Sequence, residues 1–130
     1  MEKRLAILKR LLSVERQMKR SAEAKLADLQ SREATLQEEQ RGILCALNGD
    51  GPFQGLFVDA AARKLTKLAE EADRVKAERQ AQADRVLDRS LRVNRAERLV
   101  NNVARACRDE LDKRQLAEVI EQAVSRASLP

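Results

Sequence analysis

From Glu2 to Leu47 apolar side chains recur at steps of three and four among charged ones. Ile7, Leu8, Leu11, Leu12, Val14 and Met18 form one broad stripe, continued by Ala22, Leu26, Leu29, Leu36, Ile43 and Leu47. This is the spacing of one face of an α-helix. No proline interrupts the segment, and its one glycine, Gly42, costs about 1 kcal/mol relative to Ala, which a long helix tolerates. From Met18 through Ala22 to Leu26 the steps are four and four, a stutter that predicts local unwinding of a supercoil. Asn48 and Gly49 read as left-handed residues that end a helix, and Pro52 as the first turn of the next.

The second half holds a seven-residue register. Val58, Leu65, Ala72, Arg79, Val86, Val93, Val100 and Cys107 occupy one position, and Ala61, Leu68, Val75, Gln82, Arg89, Ala96 and Val103 the other. Such a register predicts a helix packed along a coiled-coil seam. Arg79, Gln82 and Arg89 interrupt it as a polar layer that either sets the register or reaches outward to water. After Cys107 the phase shifts, and Leu111, Leu116, Val119, Ile120, Ala123 and Val124 make a fresh amphipathic stretch.

The pattern predicts an all-α fold: a two-helix antiparallel coiled-coil hairpin, with helix one over 2–47, a turn over 48–53 and a longer helix two over 54–127. A connection this short forces the helices back against each other. It sets residue i opposite residue 105 minus i, to within about one helical turn. Helix one then ends opposite position 104, and the rest of helix two overhangs by about 33 Å at its rise per residue. An apolar stripe left over in this way predicts an interaction site or an oligomer contact.

Composition agrees with an elongated helical object. Ala, Leu, Arg, Glu and Lys dominate, and only Phe53 and Phe57 are aromatic, so a rounded core would lack the bulky side chains that usually fill one. These two phenylalanines are turn-end candidates, either plugging the hairpin against Leu47 and Leu56 or standing out as a small contact point. With no His and two Cys far apart on the predicted hairpin, neither a His-based zinc site nor a Cys-His catalytic pair can be assembled. Glycine-rich phosphate loops and nucleophile elbows are absent, and the carboxylates lie among Lys and Arg at helical spacings that favour solvated ion pairs. The expectation is a non-enzymatic protein without a cofactor or metal. The longest apolar runs fall far short of the ~20 residues that span a bilayer, and the basic start lacks a signal-peptide core, so a cytoplasmic location is expected.

Charge is uneven along the chain. Residues 1–20 carry seven basic and two acidic side chains, and residues 85–108 also carry seven and two, so each segment is +5 within a chain whose formal net charge is +5. Antiparallel pairing superimposes the two and makes Arg4, Arg10, Arg92, Arg95 and Arg98 candidates for binding phosphate, anionic lipid or an acidic protein face. For nucleic acid the charge suits, but no aromatic side chain stands at the basic end to stack on bases. The simplest reading of most of these arginines is a solvated face with partners one turn away.

The start "KRLAILKRLLSVERQMKRSAEAKLADLQ" resembles the opening of YscO-type proteins, with its basic, leucine-spaced run leading into "VER". The end "RDELDKRQLAEVIEQAVSR" is similar to the closing segment of FliJ-type proteins at Leu111, Asp112, Lys113, Leu116, Glu118, Ala123 and Arg126. The FliJ/YscO family comprises the small stalk proteins of bacterial type III export machines, flagellar or injectisome. The resemblance implies a central stalk or adaptor at the cytoplasmic base of the membrane-embedded apparatus. Its terminal end would insert into a hexameric export ATPase, its body or turn end would contact the export gate protein, and export chaperones would be further partners. The competing reading is a basic coiled-coil hairpin that binds nucleic acid or anionic membrane, and a generic self-associating scaffold is the third.

Overall fold

A computed structural model describes residues 2–49 and 54–128. Two α-helices account for nearly all of them: α1 over Glu2–Leu47 and α2 over Gln54–Ala127. They pack against each other antiparallel, as a helical hairpin whose second helix is the longer. Among the described residues there is no strand, and no helix is long and apolar enough to cross a membrane.

The chain divides into two compact units, one formed by residues 1–18 with 90–130 and the other by residues 19–89. In the first, Leu12 of α1 is buried with Val93, Ala96 and Val100 of α2, and Leu5 and Leu8 pack against this cluster. In the second, Leu36 is buried with Leu68 and Val75, flanked by Ile43 and Ala72. Each core is therefore a line of single side chains along a two-helix contact. Pairs such as Leu12 with Val93 and Leu36 with Leu68 lie within about one helical turn of the expected pairing.

Every residue of α1 that is not exposed belongs to one series: Leu5, Leu8, Leu12, Glu15, Lys19, Ala22, Leu26, Leu29, Glu33, Leu36, Gln40, Ile43 and Leu47. The steps alternate three and four without interruption, so the expected stutter is absent. The seam runs through Lys19, and Met18 is 43% exposed. Lys19 can hold the position because its aliphatic stem covers apolar surface while its ammonium reaches outward, here to Glu23 at 3.8 Å. Ile7, Leu11 and Val14, expected in the stripe, are exposed for the same reason: each falls one residue short of a seam position.

The polar layer of α2 is built in. Gln82 is only 3% exposed. Its amide nitrogen donates to the Ala22 carbonyl of α1 at 3.0 Å, and its amide oxygen accepts from Arg85 at 3.3 Å. Arg79 lies 2.5 Å from the seam carboxylate of Glu33 on α1. Its Nε–H has no acceptor in line, so that contact is an ion pair rather than an aligned hydrogen bond. Arg32 and Glu71 form a further bridge between the helices, and the Glu71 hydrogen bond, then its charge, raise the Arg32 guanidinium above its ordinary pKa. These partners favour the register-setting role: a polar side chain satisfied in one alignment is left unsatisfied in its neighbours.

Helix α1 ends differently from the expectation. Among the described residues none has a positive φ, so Asn48 and Gly49 do not form a left-handed cap. The Asn48 N–H instead donates to the Leu44 carbonyl at 3.2 Å and the Gly49 N–H to the Ala46 carbonyl at 3.3 Å, tightening the last turn from i−4 to i−3 bonding. Pro52 and Phe53 lie outside the described residues. Phe57 and its neighbour Val58 are exposed to similar degrees, 44% and 42%.

Candidate functional site

The unit formed by residues 1–18 and 90–130 brings together most of the residues singled out for binding. Its two flanks follow from the seam. Arg16 and Glu97 each come one residue after a seam position, and they meet across the helices at 3.2 Å. Residues that come one before a seam position therefore line the other flank. On α1 these are Arg4, Ile7, Leu11, Val14 and Met18, and on α2 they are Arg92, Arg95 and Leu99. All of them are exposed, with Ile7 at 64% and Leu99 at 45%. An apolar strip bordered by arginines thus runs along one side of the unit.

Arg98 and Arg10 stand further round, both exposed, and the Arg98 Nε–H donates to the Asn94 carbonyl one turn back at 3.5 Å. Arg4, Arg10 and Arg95 have no ion-pair partner among the described residues. Their charge faces water and remains available to an anionic partner. The sequence hides the apolar half of this surface, because Ile7, Leu11 and Val14 extend the same apolar stripe that predicts the seam. The signal that separates them is the three-four alternation taken through Glu15 and Lys19.

Where α1 begins, two open clefts lie beside α2. One, of about 410 Å³, is lined by Glu2, Lys3, Cys107, Glu110, Leu111 and Arg114. The other, of about 380 Å³, involves Leu5, Ala6, Lys9, Ala104, Arg108 and again Leu111. Leu111 therefore sits with the start of α1 and is only 48% exposed, so the overhang proper begins after it.

From Arg108 to Ala127 every residue of α2 is exposed, and so is Ser128 after it. Leu116, Val119, Ile120 and Val124 are each between 52% and 62% exposed, and Ala123 lies among them. This face is not a prolongation of the seam. Carried past Cys107, the seven-residue register lands on Glu110, Arg114, Ala117 and Glu121, and Glu110 and Arg114 bridge each other at 3.5 Å. The apolar face is centred roughly a third to a half of a turn away. A longer α1 would not cover it, whereas a third helix could.

Among the described residues no three His, Cys, Asp or Glu side chains group as a metal site, and no disulfide is present. No protein family, curated protein or solved structure compared with the chain matches it.

Proposed function

We propose that the chain is a non-enzymatic stalk or adaptor of a bacterial type III protein export apparatus, coupling a hexameric export ATPase to the export gate at the cytoplasmic base of the machine. One observation carries the reading: α2 runs on past the start of α1 with Leu116, Val119, Ile120 and Val124 exposed on a face that the hairpin does not use. Burying four such side chains on a partner contributes very roughly 6 to 10 kcal/mol before the costs of association. That is enough to hold a complex. The basic flank beside it gives an acidic partner a direction of approach, and the turn end with Phe57, together with Phe53, is left for the gate or for export chaperones.

Truncation after Cys107 removes the overhang and leaves both buried clusters intact. The truncated chain should stay helical by circular dichroism and lose capture of an export ATPase in a pull-down. Undiminished capture would refute the role of the overhang, and no capture by the full chain would refute the assignment. The exposed arginines favour the competing reading to one extent: retention on any DNA or anionic vesicle that collapses with salt would replace an ATPase partner with a polyanion.

A further inference from the structure

The molecule leaves two apolar surfaces open in the same unit, the strip on α1 and the face of the overhang, and they match each other. Along α1 the strip runs Ile7, Leu11, Val14, Met18, with steps of four, three and four. Along the overhang the face runs Leu116, Ile120, Ala123, Ala127, with the same steps. Both span about 17 Å of helix. Equal length and equal spacing are what two helices need to interlock side by side in a parallel seam.

Their charges are complementary. Residues 116–127 carry two acidic and one basic side chain, hence −1, whereas residues 7–18 carry three basic and one acidic, hence +2. Arg92 and Arg95 add to the basic border from α2. The overhang cannot reach the strip of its own chain, because α2 is one unbroken helix through Ala127 and carries the overhang away from the start of α1. Only the overhang of another copy can lie there.

We infer that two copies of this chain associate by reciprocal exchange, each laying its overhang, Leu116 to Ala127, along the partner's Ile7–Leu11–Val14–Met18 strip. The arrangement is a two-fold one in which both contacts form together. Each single contact is short, but the pair buries surface on the order of 1,000 Å², the scale at which specific interfaces begin. The inference concerns the same overhang as the export reading but does not depend on it. Self-exchange and partner capture would compete for one face.

Sedimentation of the full chain between about 1 and 100 μM tests it, alongside two variants at exposed positions: Leu11→Glu in the strip and Ile120→Glu in the overhang. Wild type should be dimeric at the upper end of that range, and each variant should weaken dimerisation by about a hundredfold or more with unchanged helicity. An equimolar mixture of the two variants should form more dimer than either alone, because a heterodimer keeps one intact contact: the strip of the Ile120→Glu chain with the overhang of the Leu11→Glu chain. A monomeric wild type, variants that dimerise at full strength, or a mixture no better than its components would each overturn the exchange. The Leu11→Glu chain keeps its overhang, so its capture of an export ATPase reports on the export reading separately.

Discussion

Within one unit, Ser90–Cys107 and Arg108–Ala127 are consecutive stretches of the same helix, made from the same residue types, and they meet opposite fates. In the first, Val93, Ala96 and Val100 are almost wholly withdrawn from water against Leu12. In the second, every residue is exposed. The difference is one of phase. Up to Cys107 apolar residues fall where α1 can reach them. Beyond it α1 soon ends, the register positions become Glu110, Arg114, Ala117 and Glu121, and the apolar residues have moved round the helix, so that even a longer α1 would not cover them. The phase of an apolar pattern, more than its presence, tells which part of a helix stabilises the fold and which part is left for a partner.

Truncating equal side chains on the two sides gives the largest contrast. Leu12 is 8% exposed and Leu116 is 60% exposed. Leu12→Ala removes a buried side chain from a narrow core and should cost about 2 to 4 kcal/mol of unfolding free energy. Leu116→Ala should stay within about 0.5 kcal/mol of wild type, as exposed substitutions do. Urea denaturation of both variants in the monomer range checks the pair, and comparable losses would mean that the overhang is already covered in solution.

These two stretches also show what the sequence could and could not tell. The seam of α2 was legible because apolar residues mark nearly all of its positions, and the all-α hairpin followed from it. The seam of α1 is not legible near Met18, because the rule of apolar positions prefers a methionine to the lysine beside it. Glu15, Lys19, Glu33 and Gln40 occupy partly buried seam positions, Glu33 through its ion pair with Arg79, which hydrophobic periodicity does not register. The same rule hides the strip of Ile7, Leu11 and Val14. The end of α1 differs for another reason: Asn-Gly permits a left-handed cap without demanding one, and a tightened last turn also supplies donors to the Leu44 and Ala46 carbonyls.

A smaller effect is expected where the seam itself is polar. Gln82 is as deeply buried as Val75, each at 3%. Gln82→Leu keeps the volume and gives up hydrogen bonds to Ala22 and Arg85. The Ala22 carbonyl lies within α1, where the helix ladder supplies a donor. The exchange should therefore be neutral or stabilising by about 1 kcal/mol, with the loss falling on the uniqueness of the alignment. A denaturation midpoint that rises or holds agrees with a register-setting role. A loss of more than about 1 kcal/mol would show that the hydrogen bonds at Gln82 carry stability in their own right.

The smallest effect on stability belongs to the arginines of the basic flank, and there the contrast between fold and partner is sharpest. Arg92, Arg95 and Arg98 are all exposed on α2, and an exposed charge contributes at most about 1 kcal/mol to a pair, often nothing measurable. Reversing all three to Glu should leave thermal unfolding nearly unchanged, since none of them lies in the seam. Association with an acidic partner should weaken by at least about tenfold at low salt, and the difference from wild type should shrink as salt rises, because screening falls on charges that face water. Whether the partner is a second overhang or an export ATPase, binding titrations at two ionic strengths read the effect. A large loss of thermal stability with binding intact would place these side chains in the packing of the helices instead, and would remove the basic flank from any account of recognition.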